Sequence, residues 1–109
     1  MGELDKLIVA EIKGRLPAEV LRHLRQMILF GSRARGDAAE DADLDLLALV
    51  DEKTPALEEA LEDIAYKVMW EHDFKPIISL KVFSEKRFHD SVARGVSFYR
   101  NVEREGVIL

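Results

Sequence analysis

Apolar positions along the chain change their period several times, and each change predicts an element. Leu4, Leu7, Ile8 and Ile12 recur at helical spacing and predict a first helix. Gly14 and Pro17 interrupt it, and Pro17 predicts the first residue of a second short helix with Val20, Leu21 and Leu24 facing inward. Met27 to Phe30 is a continuous apolar run, the mark of a central strand. Gly31-Ser32 ends that strand and opens a short helix; Gly36-Asp37 then turns the chain into a polar, acid-rich loop ending at Asp41. Asp43 to Val50 predicts a second strand whose far half, Leu46 to Val50, is apolar on both faces, as in a strand covered on both sides. Thr54-Pro55 is a cap and first residue for a helix with Leu57, Leu61, Ile64, Ala65 and Val68 as its apolar stripe, ending near His72.

Ile77 to Phe83, rich in β-formers and with Pro76 at its edge, predicts a third strand. Ser84 followed by Glu85 starts another helix. The tail from Val92 to Glu105 carries Val96, Phe98, Tyr99 and Val102, with Gly106 as a C-cap before an extended Val107-Ile108-Leu109. The alternation of strand and helix patterns reads as an α+β (α/β) chain.

Composition narrows the function classes. A chain of 109 residues with 48% hydrophobic content suits one domain over 1–109 with a single core. A net charge of -5 lacks the basic footprint of sequence-independent nucleic-acid binding. The absence of cysteine excludes disulfides and thiolate zinc sites, and makes a reducing, cytoplasmic setting the default. The longest apolar run, around Leu46 to Val50, is too short to span a bilayer, and the acid-bearing N-terminus does not read as a secretory signal.

The candidate chemistry lies in two stretches. Strand side chains alternate faces, so Asp43 and Asp45 point the same way, and two adjacent carboxylates repel unless a cation sits between them. Gly31 lets a ligand approach the backbone, and Ser32 can cap the following helix or offer its hydroxyl to a phosphate. Arg33 and Arg35 bring positive charge to this turn, either for the ligand or for surface ion pairs with Asp37 or Glu40. The plainer alternatives are a strand end with solvated acids and a tight turn with a capped helix. His23 reads as a surface residue, and Tyr66 and Trp70 as packing or interface residues. His72 and His89 each precede an aspartate, but adjacent helix residues do not face one another.

Gly31-Ser32-Arg33-Ala34-Arg35-Gly36 followed by Asp43-Leu44-Asp45-Leu46 resembles the minimal nucleotidyltransferases of the DNA polymerase β-like superfamily. Their signature is Gly-Ser, roughly ten residues, then Asp-x-Asp; here ten residues separate Ser32 from Asp43. Ser79 to Phe88 and Tyr99 to Val107 also resemble the strand–helix junction and the C-terminus of this group, so the likeness extends over nearly the whole chain. Alanine stands at residue 42, where the group often has serine. The third carboxylate that the group usually carries on the third strand, near Ile77 or Ser79 here, is missing; Glu71 and Asp73 are the nearest acids.

The resemblance implies a nucleotidyltransferase fold with a small mixed sheet of three to four strands. It implies transfer of a nucleoside monophosphate from an NTP, ATP foremost, to an acceptor hydroxyl. Asp43 and Asp45 are then the catalytic metal ligands for Mg²⁺, two ions in the full mechanism. Gly31 and Ser32 grip phosphate, with Arg33 or Arg35 neutralising the leaving group. Larger relatives carry a second domain that this chain lacks, so its open side is covered by another chain or stays exposed. The resemblance names a helical HEPN-class protein as that partner, with the nucleotidyltransferase as a type VII-like antitoxin; a homodimer is the other arrangement. Without the third acid, a degenerate nucleotide binder that neutralises its partner by complex formation is the second reading.

Overall fold

A computed structural model describes residues 2–39 and 41–109. Its elements in chain order are α1 (Glu3–Arg15), α2 (Ala18–Leu21), β1 (Leu24–Phe30), α3 (Ser32–Arg35), β2 (Leu44–Val50), α4 (Pro55–Glu71), β3 (Ile78–Ser84), α5 (Glu85–Ala93), α6 (Ser97–Glu105) and β4 (Val107–Ile108). The strands form a mixed four-stranded sheet in the order β3-β2-β1-β4. β1 runs antiparallel to β2 and β4, while β2 and β3 are parallel and joined by α4. This is the expected mixed α+β architecture.

The sheet is apolar on both faces because helices cover both. Met27 and Leu29 of β1, Leu44, Leu46, Ala48 and Val50 of β2, and Ile78 and Val82 of β3 pack with Ile8, Val9 and Ile12 of α1 and Leu57, Leu61, Ala65 and Val68 of α4. The alternate positions Ile28, Leu47 and Leu49 pack with Phe88 of α5 and Val102 of α6, with Phe30, Phe83 and Tyr99 around them. Each fully buried Leu or Ile contributes about 1.5–3 kcal/mol, so β2, the most deeply buried strand, anchors the fold.

Local chemistry sets the element ends. The Thr54 hydroxyl accepts a hydrogen bond from the Leu57 amide at 3.2 Å, and Pro55 follows it at the first helical position. Ser84 caps α5 in the same way, its hydroxyl accepting from the Arg87 amide at 3.2 Å. Gly106 ends α6 in an extended conformation; a Cβ there would overlap the Val102 carbonyl and lie 2.6 Å from Ile28 Cγ2. Glycine therefore lets the chain turn directly from α6 into β4 beside β1.

Several expectations from periodicity need correction. Pro17 is the cap before α2, not its first residue. Leu21 is exposed, because the one-turn α2 is too short to carry an inward stripe, and only Val20 in it is buried. Leu24 belongs to β1, which begins three residues before the apolar run and carries an irregularity between Leu24 and Gln26. β3 starts at Ile78, leaving Ile77 exposed. Asp43 directly precedes β2 instead of opening it. The tail splits into α5 and α6 at Gly95, whose φ of 81° breaks the helix.

Candidate active site

The site forms where β1 ends and β2 begins. Phe30 is the register partner of Asp45, so the turn after β1 lies beside the carboxylate at the start of β2. Gly31 holds φ 77° and ψ −160°, a conformation open to glycine and closed to residues with a Cβ. A Cβ on Gly31 would come 2.5 Å from Asp45 Oδ2. Glycine is thus required twice, by the backbone angle and by the carboxylate packed against it.

Asp45 points to the α5–α6 side of the sheet, because Leu44 and Leu46 on either side of it are buried on the α1–α4 side, and Asp43, just before the strand, is near enough for its charge to act on Asp45. α6 reaches this end of the sheet over β1, where Phe98 meets Phe30 at a ring distance of 5.7 Å, yet Asp43 stays exposed and Asp45 half-buried. Partial burial pushes the Asp45 carboxyl above the ordinary aspartate range, the neighbouring charge of Asp43 pushes it further, and Lys81 pulls it back. Such a strained pair is relieved by a cation or a proton. Two carboxylate arms next to a turn that keeps a backbone free of side chains fit Mg²⁺ shared with phosphate oxygens, since Mg²⁺ takes one or two carboxylates and fills its shell from phosphate and water.

Ser32 opens α3 directly after Gly31, and neither Gly31 nor Ser32 is engaged in a side-chain cap of the helix. The two arginines reach other partners. Arg33 Nη1 donates to Asp5 Oδ1 at 2.8 Å in a buried ion pair, and its Nε donates to the Ala42 carbonyl at 2.9 Å. It therefore ties α1, α3 and the backbone just before Asp43 together. Arg35 bridges Asp37 at 3.3 Å and Glu105 at 3.5 Å, which is the surface pairing expected as its alternative role. Glu40, the other expected pairing partner, lies outside the described residues.

Asp5 is the residue that sequence reasoning missed. In the sequence it is one acid in the first turn of a helix, and it does accept from the Gly2 amide at 3.1 Å. Its contact with Arg33 spans 28 residues, and no periodicity could have shown it.

On β3, Ser79 is the register partner of Asp45. Among the described residues no group of three or more acidic, histidine or cysteine side chains is placed to share a metal. Glu71 does not fill the gap, because Arg15 binds it through both oxygens, the longer contact being 2.7 Å. Asp73 is exposed in a left-handed turn with φ 57°. His72 Nε2 faces Glu11 Oε2 at 3.0 Å, and His23 Nδ1 faces Asp51 at 2.9 Å, so both histidines are engaged away from Asp43 and Asp45.

Comparison with known proteins gives the family. The family described as "Nucleotidyltransferase domain" matches residues 9–108. The chain belongs to the nucleotidyltransferase domain family. A Methanocaldococcus jannaschii protein named "Putative protein adenylyltransferase" is 31% identical over 105 residues, 96% of this chain and 97% of that relative. A crystal structure from Sulfolobus solfataricus, titled as a "putative nucleotidyltransferase", shares the fold with a TM-score of 0.54 and 22% identity, covering 97% of this chain and 76% of that one. In this nucleotidyltransferase no described helix is long and apolar enough to cross a membrane.

Proposed function

We propose that this nucleotidyltransferase transfers AMP from ATP to a hydroxyl on a protein, with Asp43 and Asp45 as the metal-binding catalytic pair. The observation that carries the reading is the packing of Gly31 against Asp45, which sets the Asp45 carboxylate beside the turn that opens α3. The acceptor oxygen attacks the α-phosphorus, the α–β phosphoanhydride bond breaks, pyrophosphate leaves, and the hydroxyl proton passes to solvent or a carboxylate. Asp43 and Asp45 would hold Mg²⁺, which when bound neutralises triphosphate charge and activates the reacting oxygens. Gly31 and Ser32 bind the outer phosphates, and Arg33 keeps the Asp43 backbone in place through Ala42.

The acceptor we infer is a helical HEPN-class protein, with this chain as a type VII-like antitoxin. Its relative's name supports a protein acceptor. So does an exposed aromatic surface: Tyr66 and Trp70 are 51% and 58% exposed and meet Phe74 at ring distances of 6.1 and 5.2 Å, with Ile77 close in sequence. Exposed apolar patches of this kind mark protein interfaces. ATP labelled at the α-phosphate, incubated with Mg²⁺, this protein and a HEPN-class protein from the same cells, is expected to label that protein. Asp43→Ala and Asp45→Ala are expected to abolish the label, and an unlabelled acceptor with wild-type protein would overturn the reading.

Ser79 opposite Asp45 favours one alternative, a nucleotide-binding antitoxin that acts by complex formation alone. It predicts that Asp43→Ala still protects cells from the partner. Loss of protection with the complex intact would count against it.

A further inference from the structure

Phosphoryl transfer rests on positioning and electrostatics, and a nucleoside triphosphate brings several negative charges to a site that already holds two carboxylates. The protein must supply cationic charge beyond any metal. The two arginines nearest the Gly-Ser turn are committed elsewhere: Arg33 to Asp5 and Ala42, Arg35 to Asp37 and Glu105.

Lys81 stands differently. It lies on β3 two residues after Ser79, the register partner of Asp45, and its own partner is Leu47. Leu47 shares its sheet face with Asp45, so Lys81 emerges on the carboxylate face one step along the neighbouring strand. Its side chain is exposed. No described carboxylate comes within 4.0 Å of its ammonium. Lysines elsewhere on this side of the sheet are occupied, Lys53 by Glu58 at 2.9 Å and Lys86 by Asp90 at 3.0 Å.

We propose that Lys81 is a side-chain cation that binds the polyphosphate of the nucleotide. The proposal rests on the reading of the site as a nucleotide site. Lysine binds phosphate as a point charge on a flexible stem, which lets it reach a ligand from an exposed strand position. The residue touches substrate and takes no proton in the reaction.

Calorimetric titration of the full chain with Mg–ATP and, separately, with adenosine tests it. Lys81→Met is expected to weaken Mg–ATP binding at least tenfold while leaving adenosine binding within twofold, and Lys81→Arg is expected to stay within threefold of wild type for both. Unchanged Mg–ATP binding in Lys81→Met overturns the role of Lys81 and leaves the nucleotide site standing. Equal losses for ATP and adenosine overturn it too, because they mark a structural effect instead of a charge contact. A wild-type protein that binds no Mg–ATP removes both this inference and the reading beneath it.

Discussion

Arg33 and Asp5 form an ion pair at 2.8 Å in which the two side chains retain 14% and 4% of their exposure. It joins the first helix to the turn of the candidate site, and the same guanidinium holds the carbonyl one residue before Asp43. Breaking a buried ion pair by removing one partner costs up to about 3–5 kcal/mol. Asp5→Ala should therefore lower stability by about 3 kcal/mol, measured by urea denaturation. It should also weaken Mg²⁺ binding although Asp5 does not belong to the carboxylate pair. A stability change below the level of an ordinary surface substitution would show that the pair is decorative.

Gly31 is the position where backbone and site chemistry coincide. Gly31→Ala places a residue with a Cβ at φ 77° and drives that atom against Asp45 Oδ2. The backbone strain costs about 1–2 kcal/mol, and displacing a reacting group by about 1 Å costs on the order of a hundredfold in rate. The expected result is a folded protein with a lowered thermal midpoint and transferase activity reduced about a hundredfold. Full activity would mean that the carboxylate does not need its present position.

Asp45 gives a pH dependence with a definite sign. Burial and Asp43 raise its folded-state pKa above the ordinary aspartate value, so its ionised form is less stable folded than unfolded. Its contribution to stability is full below the unfolded pKa and is lost as pH rises through the raised folded value. Asp51 and Glu71 work the other way, since His23 and Arg15 lower their values and their contributions fade as pH falls. The difference between wild type and Asp45→Asn isolates the first effect. The variant should be the more stable near neutrality in metal-free buffer, and the gap should close in acid. Mg²⁺ affinity of the wild type should fall over the same acid range, as protons compete for the pair. A stability gap that stays constant with pH would refute the assignment.

The parts of the fold legible in the sequence were those written in local periodicity. The stripe from Leu57 to Val68 marked α4, and the uninterrupted apolar half of β2 foretold helices on both sheet faces, which the two clusters around Leu46 and Leu47 provide. The Gly-Ser turn and the alternation of Asp43 with Leu44 brought the site residues to one end of the sheet. Contacts between distant residues were not legible. Asp5 meets Arg33 only because α1 packs beside α3, and Glu71, one of the acids nearest the missing carboxylate in sequence, meets Arg15 only because α4 packs beside α1. Lys81 was hidden for a similar reason: its face is fixed only by the parallel register of β3 on β2.

That register also allows the missing acid to be restored. Ser79→Asp would set a third carboxylate directly across from Asp45 on the adjacent strand. Like charges opposite one another on a sheet destabilise it by about 0.2–1 kcal/mol, so the metal-free variant should unfold at lower temperature than wild type. A cation that binds only the folded form reverses the loss, since stabilisation grows with the ratio of its concentration to its Kd. In millimolar Mg²⁺ the variant should therefore match or exceed the wild-type midpoint, and the Mg²⁺-dependent shift should be larger than in wild type. Transferase activity should rise with it if a third ligand is what the site lacks. Thermal scans with and without Mg²⁺ decide the matter: equal shifts in the two proteins would mean that Ser79 does not face a cation bound at the proposed Asp43–Asp45 site.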